Sequence, residues 1–188
     1  MYLKAMLLIA AVAVLTAGCG RTPTSMKVNP ENVLSKTMGE TIILTAEVRD
    51  EKGEVMPDQP VAWSSSDDKT VAVVDGKATV LASGETRITA SSGALKAEAY
   101  LVTSIPAKLK PPAEEVTLKV EETVSIKPDI IDDKGKVLAS YPMLYYSHNV
   151  KVALVDERGV VTGKAPGECV VQAIYGNLTT EVKVTVVK

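Results

Sequence analysis

Hydrophobic and polar residues alternate with a period of two along much of the chain. Ile42, Leu44, Ala46 and Val48 fall at every second position, with Thr41, Thr45, Glu47 and Arg49 between or beside them. Successive side chains of a strand point to opposite faces, so the apolar set shares one face. Ile43 breaks the rhythm, which predicts an outward apolar contact or a partly covered face. Val124, Ile126 and Ile130 repeat the pattern with Pro128 inside it. Proline donates no ladder hydrogen bond, so an edge position or a bulge is expected there. At the end of the chain Val182, Val184 and Val186 should face inward, and Glu181, Lys183 and Thr185 outward. Turn signals separate these runs: Asp50 to Gly53, Asp75-Gly76, Ser83-Gly84, Gly93, Asp132 to Gly135, Arg158-Gly159, Pro166-Gly167 and Gly176-Asn177. No segment carries a helical period with caps. Short strands at this spacing predict an all-β chain built as β-sandwiches.

The pattern is written twice. Asp50-Glu51-Lys52-Gly53 returns as Asp132-Asp133-Lys134-Gly135, and Val71-Ala72-Val73-Val74-Asp75 as Val152-Ala153-Leu154-Val155-Asp156. Gly84-Glu85 returns as Gly167-Glu168, Gly93 as Gly176, Pro30 as Pro112, and Trp63 is answered by Tyr145. The offset stays between 81 and 83. That period is too long for a solenoid unit and fits one small β-domain. The boundaries that follow are 26–103 for a first domain and 104–188 for a second, joined through Thr103-Ser104-Ile105-Pro106-Ala107, which is short and stiffened by proline.

The residues of the repeat carry a family resemblance. Val61-Ala62-Trp63-Ser64-Ser65-Ser66, then Val71 to Asp75, then Gly84-Glu85-Thr86-Arg87-Ile88-Thr89-Ala90 resemble the bacterial Ig-like domain, group 2. Gly159-Val160-Val161-Thr162-Gly163 and Ala165-Pro166-Gly167-Glu168 do the same in the second copy. The resemblance spans residues 25–102 and 105–188 and implies two tandem Ig-like β-sandwiches. It implies similarity to surface adhesins of the intimin and invasin type, and it brings no catalytic residues. The second copy departs from the pattern where Tyr145 replaces Trp and Ser147-His148-Asn149 replaces the serine run.

The N-terminus is an address. Lys4 precedes the apolar run from Ala5 to Leu15, and small residues follow. This is the layout of a secretory signal peptide, and the run is too short to span a bilayer. Thr16-Ala17-Gly18-Cys19 resembles the lipobox of bacterial lipoproteins. The resemblance implies a signal peptide over 1–18, cleavage before Cys19, and acylation of Cys19, with residues 19–25 as a tether. Each buried methylene of such a chain contributes about 0.8 kcal/mol of membrane affinity. From Gly20 to Met26 the tether reaches at most roughly 25 Å. Gly20 is not the aspartate that, by the same resemblance, retains lipoproteins in the inner membrane, so the outer membrane is expected in a cell with two.

Composition narrows the rest. The chain has 188 residues, 46% hydrophobic and 23% charged, so it should fold. A net charge of -2, or -3 once Lys4 is removed, gives no basic excess for nucleic acid. One histidine and two cysteines exclude a metal centre of several imidazoles or four thiolates. With Cys19 acylated, Cys169 has no disulfide partner, and its phase with Val171 and Ala173 predicts a core position. Trp63 is expected to pack between the sheets from a middle strand. The acidic pairs Asp67-Asp68 and Asp132-Asp133 are expected to be turn chemistry rather than Ca²⁺ ligands, and no cofactor or metal is expected. If Tyr145 takes the place of Trp63, Tyr146 points outward. Tyr141, Tyr146 and His148 then form a candidate binding patch. The expected protein is a non-catalytic, membrane-anchored envelope lipoprotein. It would bind another protein or a surface polymer, with no nucleic acid or small-molecule substrate. The alternative is a structural spacer or accessory subunit of an envelope complex, and an enzyme is the remote third reading.

Overall fold

The computed structural model describes residues 21–139 and 141–188; the expected signal peptide and Cys19 lie outside the described residues. Among the described residues the chain is all-β. Its first nine strands are β1 (Pro23–Asn29), β2 (Asn32–Ser35), β3 (Thr41–Ile43), β4 (Thr45–Asp50), β5 (Ala62–Ser65), β6 (Val71–Val74), β7 (Lys77–Val80), β8 (Gly84–Ser92) and β9 (Leu95–Thr103). The next nine are β10 (Pro106–Lys110), β11 (Glu115–Lys119), β12 (Thr123–Ser125), β13 (Asp129–Asp132), β14 (Leu144–Ser147), β15 (Ala153–Val155), β16 (Val160–Gly163), β17 (Gly167–Tyr175) and β18 (Leu178–Val187).

Each nine-strand half pairs within itself, and the two halves have the same pairing. In the first, β2-β9-β8-β5 form one sheet, while β3-β7-β6 and the β1-β4 pair form the opposing layer. In the second, β11-β18-β17-β14 face β12-β16-β15 and the β10-β13 pair. The chain changes layers early in each half. β1 runs antiparallel to β4, and beyond the cis Asn29–Pro30 peptide β2 runs parallel to β9. In the second half the same change falls at Pro111-Pro112, between β10 on β13 and β11 parallel to β18.

The alternation decides which residues fill the sandwich. Val28, Leu44, Val71, Ala78, Ile88, Ala90, Ala99 and Leu101 form the first core. Leu118, Ile126, Ala153, Val161, Cys169, Val171, Val182, Val184 and Val186 lie in the second. A side chain buried as fully as Ile88 or Val184 contributes roughly 1.5–3 kcal/mol from apolar burial.

Four features add to or depart from the sequence expectation. The strand expected through Ile42 to Val48 is split at Leu44, whose N–H turns to Gly76 O at 2.7 Å, while Ile43 faces outward as its break in the rhythm predicts. Pro128, expected at an edge or a bulge, is buried in the break where the chain leaves β12, the edge strand of its sheet, for β13. Strand pairing is already present at Pro23, opposite Asp50, three residues before the expected boundary at 26. Finally, Val71 corresponds to Ala153, not Val152: Ser65 Oγ donates to Val71 O and Ser147 Oγ to Ala153 O, both at 2.7 Å. Between β6 and β7 the turn is Asp75-Gly76, both residues with positive φ, as a two-residue hairpin of matching twist needs. The second half closes the same hairpin through a longer loop, with Asp156 N bonded to Val160 O.

Candidate binding surface

β14 is the edge strand of its sheet and pairs antiparallel with β17, Leu144 opposite Ile174 and Tyr146 opposite Gln172. Alternation sends Tyr145 and Ser147 inward. Tyr145 packs against the second core, and its ring lies so close over Gly159 that a Cβ there would sit 2.7 Å from the ring. Burial, with Asp156 nearby, raises its phenol above the ordinary range. Trp63 holds the matching place on β5, half-buried against the first core and over Gly76. β5 is an edge strand, however, which corrects the expectation of a middle one.

Fixing Tyr145 inward leaves Leu144 and Tyr146 outward, 72% and 61% exposed. His148 follows on the same side. Its backbone N–H donates to Val170 O at 2.9 Å, and its ring lies 5.4 Å from that of Tyr146 at a tilt of 60°. The structure therefore brings together two of the three expected patch residues. Tyr141 is elsewhere employed: its ring stacks on Tyr175, 5.5 Å between centroids, with Lys36 Nζ 4.0 Å from its own centroid. The expected three-residue patch is divided into a Tyr146–His148 face and a Tyr141–Tyr175 stack. Leu144 belongs to the first of these. The signal for it was present in the sequence, since a residue next to an inward Tyr145 must face out.

The same face of the first half has another chemistry. Ala62 and Ser64 take the places of Leu144 and Tyr146, opposite Ser91 and Thr89. Its outer aromatic, Tyr100 on β9, donates to Glu98 at 2.8 Å, and Glu98 lies 3.6 Å from Arg87. The Glu98 hydrogen bond and charge raise the Tyr100 phenol.

The other expected residues have structural partners. Asp67 Oδ2 accepts from Thr70 Oγ1 at 2.7 Å and Oδ1 from Lys69 N, and the Thr70 bond leads the effects that lower its carboxyl. Asp132 Oδ1 accepts from the N–H groups of Lys134 and Lys136, as Asp50 Oδ1 does from Lys52 and Glu54. Among the described residues no cluster of acidic, His or Cys side chains is arranged for a metal ion. Cys169 is buried, and burial raises its thiol.

The strand order, the early change of layer and the paired cores define an Ig-like β-sandwich fold. The Escherichia coli adhesin FdeC has a similar structure, with a TM-score of 0.60 at 13% identity over 87% of this chain and 64% of that one. The S-layer protein SbsC matches at 0.43 and 17% identity, over 89% of this chain and 28% of that one. Human protocadherin-24 EC1-2 matches at 0.42 and 14% identity, over 89% and 99%. The chain thus spans under a third of the SbsC structure and less than two thirds of the FdeC structure. At these identities the likeness is one of fold alone. No protein-family model matches the sequence. No curated protein matches it.

Proposed function

We propose that the chain is a non-catalytic envelope lipoprotein, anchored through acylated Cys19 and built from two tandem Ig-like domains, residues 26–103 and 104–188, of the group 2 type. The second domain carries the binding surface, centred on Leu144, Tyr146 and His148. The observation that carries this reading is the contrast between the two edge strands, β5 and β14. The fold places Ala62 and Ser64 on one outer face, and Leu144 and Tyr146, both largely exposed, on its counterpart. Exposed large apolar and aromatic side chains are costly to solubility and characteristic of interfaces. The face is a sheet surface beside an open edge, which suits a protein or polymer. His148 has an aromatic neighbour and an exposed setting, not the hydrogen-bonded nucleophile and orienter that acid–base chemistry needs. FdeC, described as an adhesin, supports adhesion as the kind of binding.

A photo-crosslinking residue at position 146 in the intact cell should yield a specific adduct, and one at position 64 should not. Adducts of equal yield at both would remove the surface from the account. Fatty-acid label should enter the wild type and be lost in Cys19→Ala; label retained in that variant would remove the anchor. A spacer or accessory subunit is the second reading, favoured by the bonded junction described next. Cells shaved with protease that leave residues 104–188 uncut would favour it over adhesion.

A further inference from the structure

The connection between the halves is two residues long, and both are tied down. Ser104 N–H donates to Ser35 O at 2.9 Å. Ile105 N–H donates to Ser83 Oγ at 2.7 Å, and Ile105 itself is buried. Beyond the connector, the turn after β13 reaches back to the first half. Both carboxylate oxygens of Asp133 lie 3.1 Å from Ser83 N, and Lys134 Nζ lies 3.3 Å from Thr70 Oγ1. Thr70 is itself held by Asp67. Ser83 and Thr70 are 2% and 1% exposed, so an Ser83 N–H without Asp133 would be a buried donor lacking a partner. A second contact, Lys36 on the ring of Tyr141, joins the halves through different elements. One contact beside a connector allows a pivot; two at separate places oppose it.

We propose that Asp133 and Lys134 form a latch that seats the second half in a socket of Asp67, Thr70 and Ser83, so that the two halves move as one stiff body.

The repeat itself supplies the comparison. The first aspartate of each turn, Asp50 or Asp132, organises its own loop, and Asp50 also accepts from Arg21 of the same half, so neither crosses the junction. The next two positions differ in use: Asp133 and Lys134 cross the junction, while Glu51 and Lys52 are exposed. The socket is also used once. Thr70 O accepts from Leu81 and Ala82, and Val152 O from Lys164 and Ala165, so Val152 stands where Thr70 does. Pro166 stands where Ser83 does, each just before the glycine that opens the next strand. Valine has no hydroxyl and proline no N–H. The far end of the second half cannot receive another turn of this kind. Burial works to raise the Asp133 carboxyl, but the Ser83 bonds, its own backbone N–H and the Lys134 charge together hold it below its ordinary value.

The test is a distance distribution between spin labels at Lys77→Cys and Glu181→Cys, both exposed positions, in the full chain in detergent, with buried Cys169 left in place. The wild-type background should give one narrow distribution. Asp133→Ala/Lys134→Ala should lose the narrow peak, and so should Thr70→Val, which copies the second half's own residue. Glu51→Ala/Lys52→Ala should keep it. A broad distribution in the wild-type background, or a narrow one that survives Asp133→Ala/Lys134→Ala, would overturn the latch. The wild-type measurement decides even if a variant fails to fold.

Discussion

Replacing Thr86 by valine should stabilise the first half. Thr86 lies on β8 opposite Leu101, its side chain turned into the sandwich with Ile88 and Ala90, and it is 3% exposed. Its Oγ1 is buried with no hydrogen-bond partner among the described residues. A buried polar group left unpaired costs about 1–3 kcal/mol, whereas an apolar group of the same shape does not. Valine keeps the branching that β8 favours and changes the volume little. The second half has already made a similar choice, placing Cys169 at this position, where it behaves as a small hydrophobe. The expected gain is about 1 kcal/mol, the low end because the hydroxyl can still adjust. For a unit of this size that raises Tm by about 4–8 °C. Scanning calorimetry resolves it as an upward shift of the first half's transition, with guanidinium unfolding as the check. An unchanged or lowered Tm would mean that Oγ1 has a partner, such as a buried water, and that the first core is not packed as described.

Gly159→Ala should destabilise the second half by about 1–3 kcal/mol, because φ is +78° there and the new Cβ would meet the Tyr145 ring. Near-ultraviolet circular dichroism should show the displaced ring, and an unchanged spectrum would contradict the packing. Asp50, Asp67 and Asp133 all have carboxyls lowered in the fold, Asp50 chiefly by its bond from Arg21 at 2.7 Å. Their stabilisation is therefore complete above the unfolded pKa near 3.8 and is lost as pH falls through the lower folded values. Tm should stay level from about pH 7 to 5 and fall below about pH 4, less steeply in Asp50→Asn. The Cys169 thiol, buried and raised, should react with iodoacetamide only on unfolding. Rapid alkylation of the native chain would place it at the surface. Tyr146→Ser with His148→Ala should leave Tm within about 0.5 kcal/mol of equivalent stability, as exposed positions do, while abolishing partner capture.

What the sequence reveals depends on how local the determinant is. The inward set Val182, Val184 and Val186 and the outward Glu181 and Lys183 follow from period two alone, and burial agrees. The repeat matches Trp63 with Tyr145, and the structure adds that each ring covers a turn glycine, Gly76 or Gly159. Strand order is not local: β5 lies at the edge of its sheet rather than at its centre, because which strands flank it is decided by long-range pairing. The one-residue shift that pairs Val71 with Ala153 has a similar cause. A one-residue difference between the Asp75-Gly76 turn and its counterpart can be placed on either side of the strand until Ser65 and Ser147 identify their acceptors. Tyr141 sits beside Tyr146 in sequence, but its ring meets Tyr175 and Lys36 from other elements. The part played by Asp133 at the junction was hidden for the same reason: its partner, Ser83, belongs to the other half.

The surface assigned to Leu144, Tyr146 and His148 is tested most directly by site-specific crosslinking in the living cell, with position 146 compared with position 64, its counterpart in the first half. One dominant adduct is expected from 146, weakened by Leu144→Ala, and none above background from 64. Adducts from 64 alone, or equal yields from both, would contradict it.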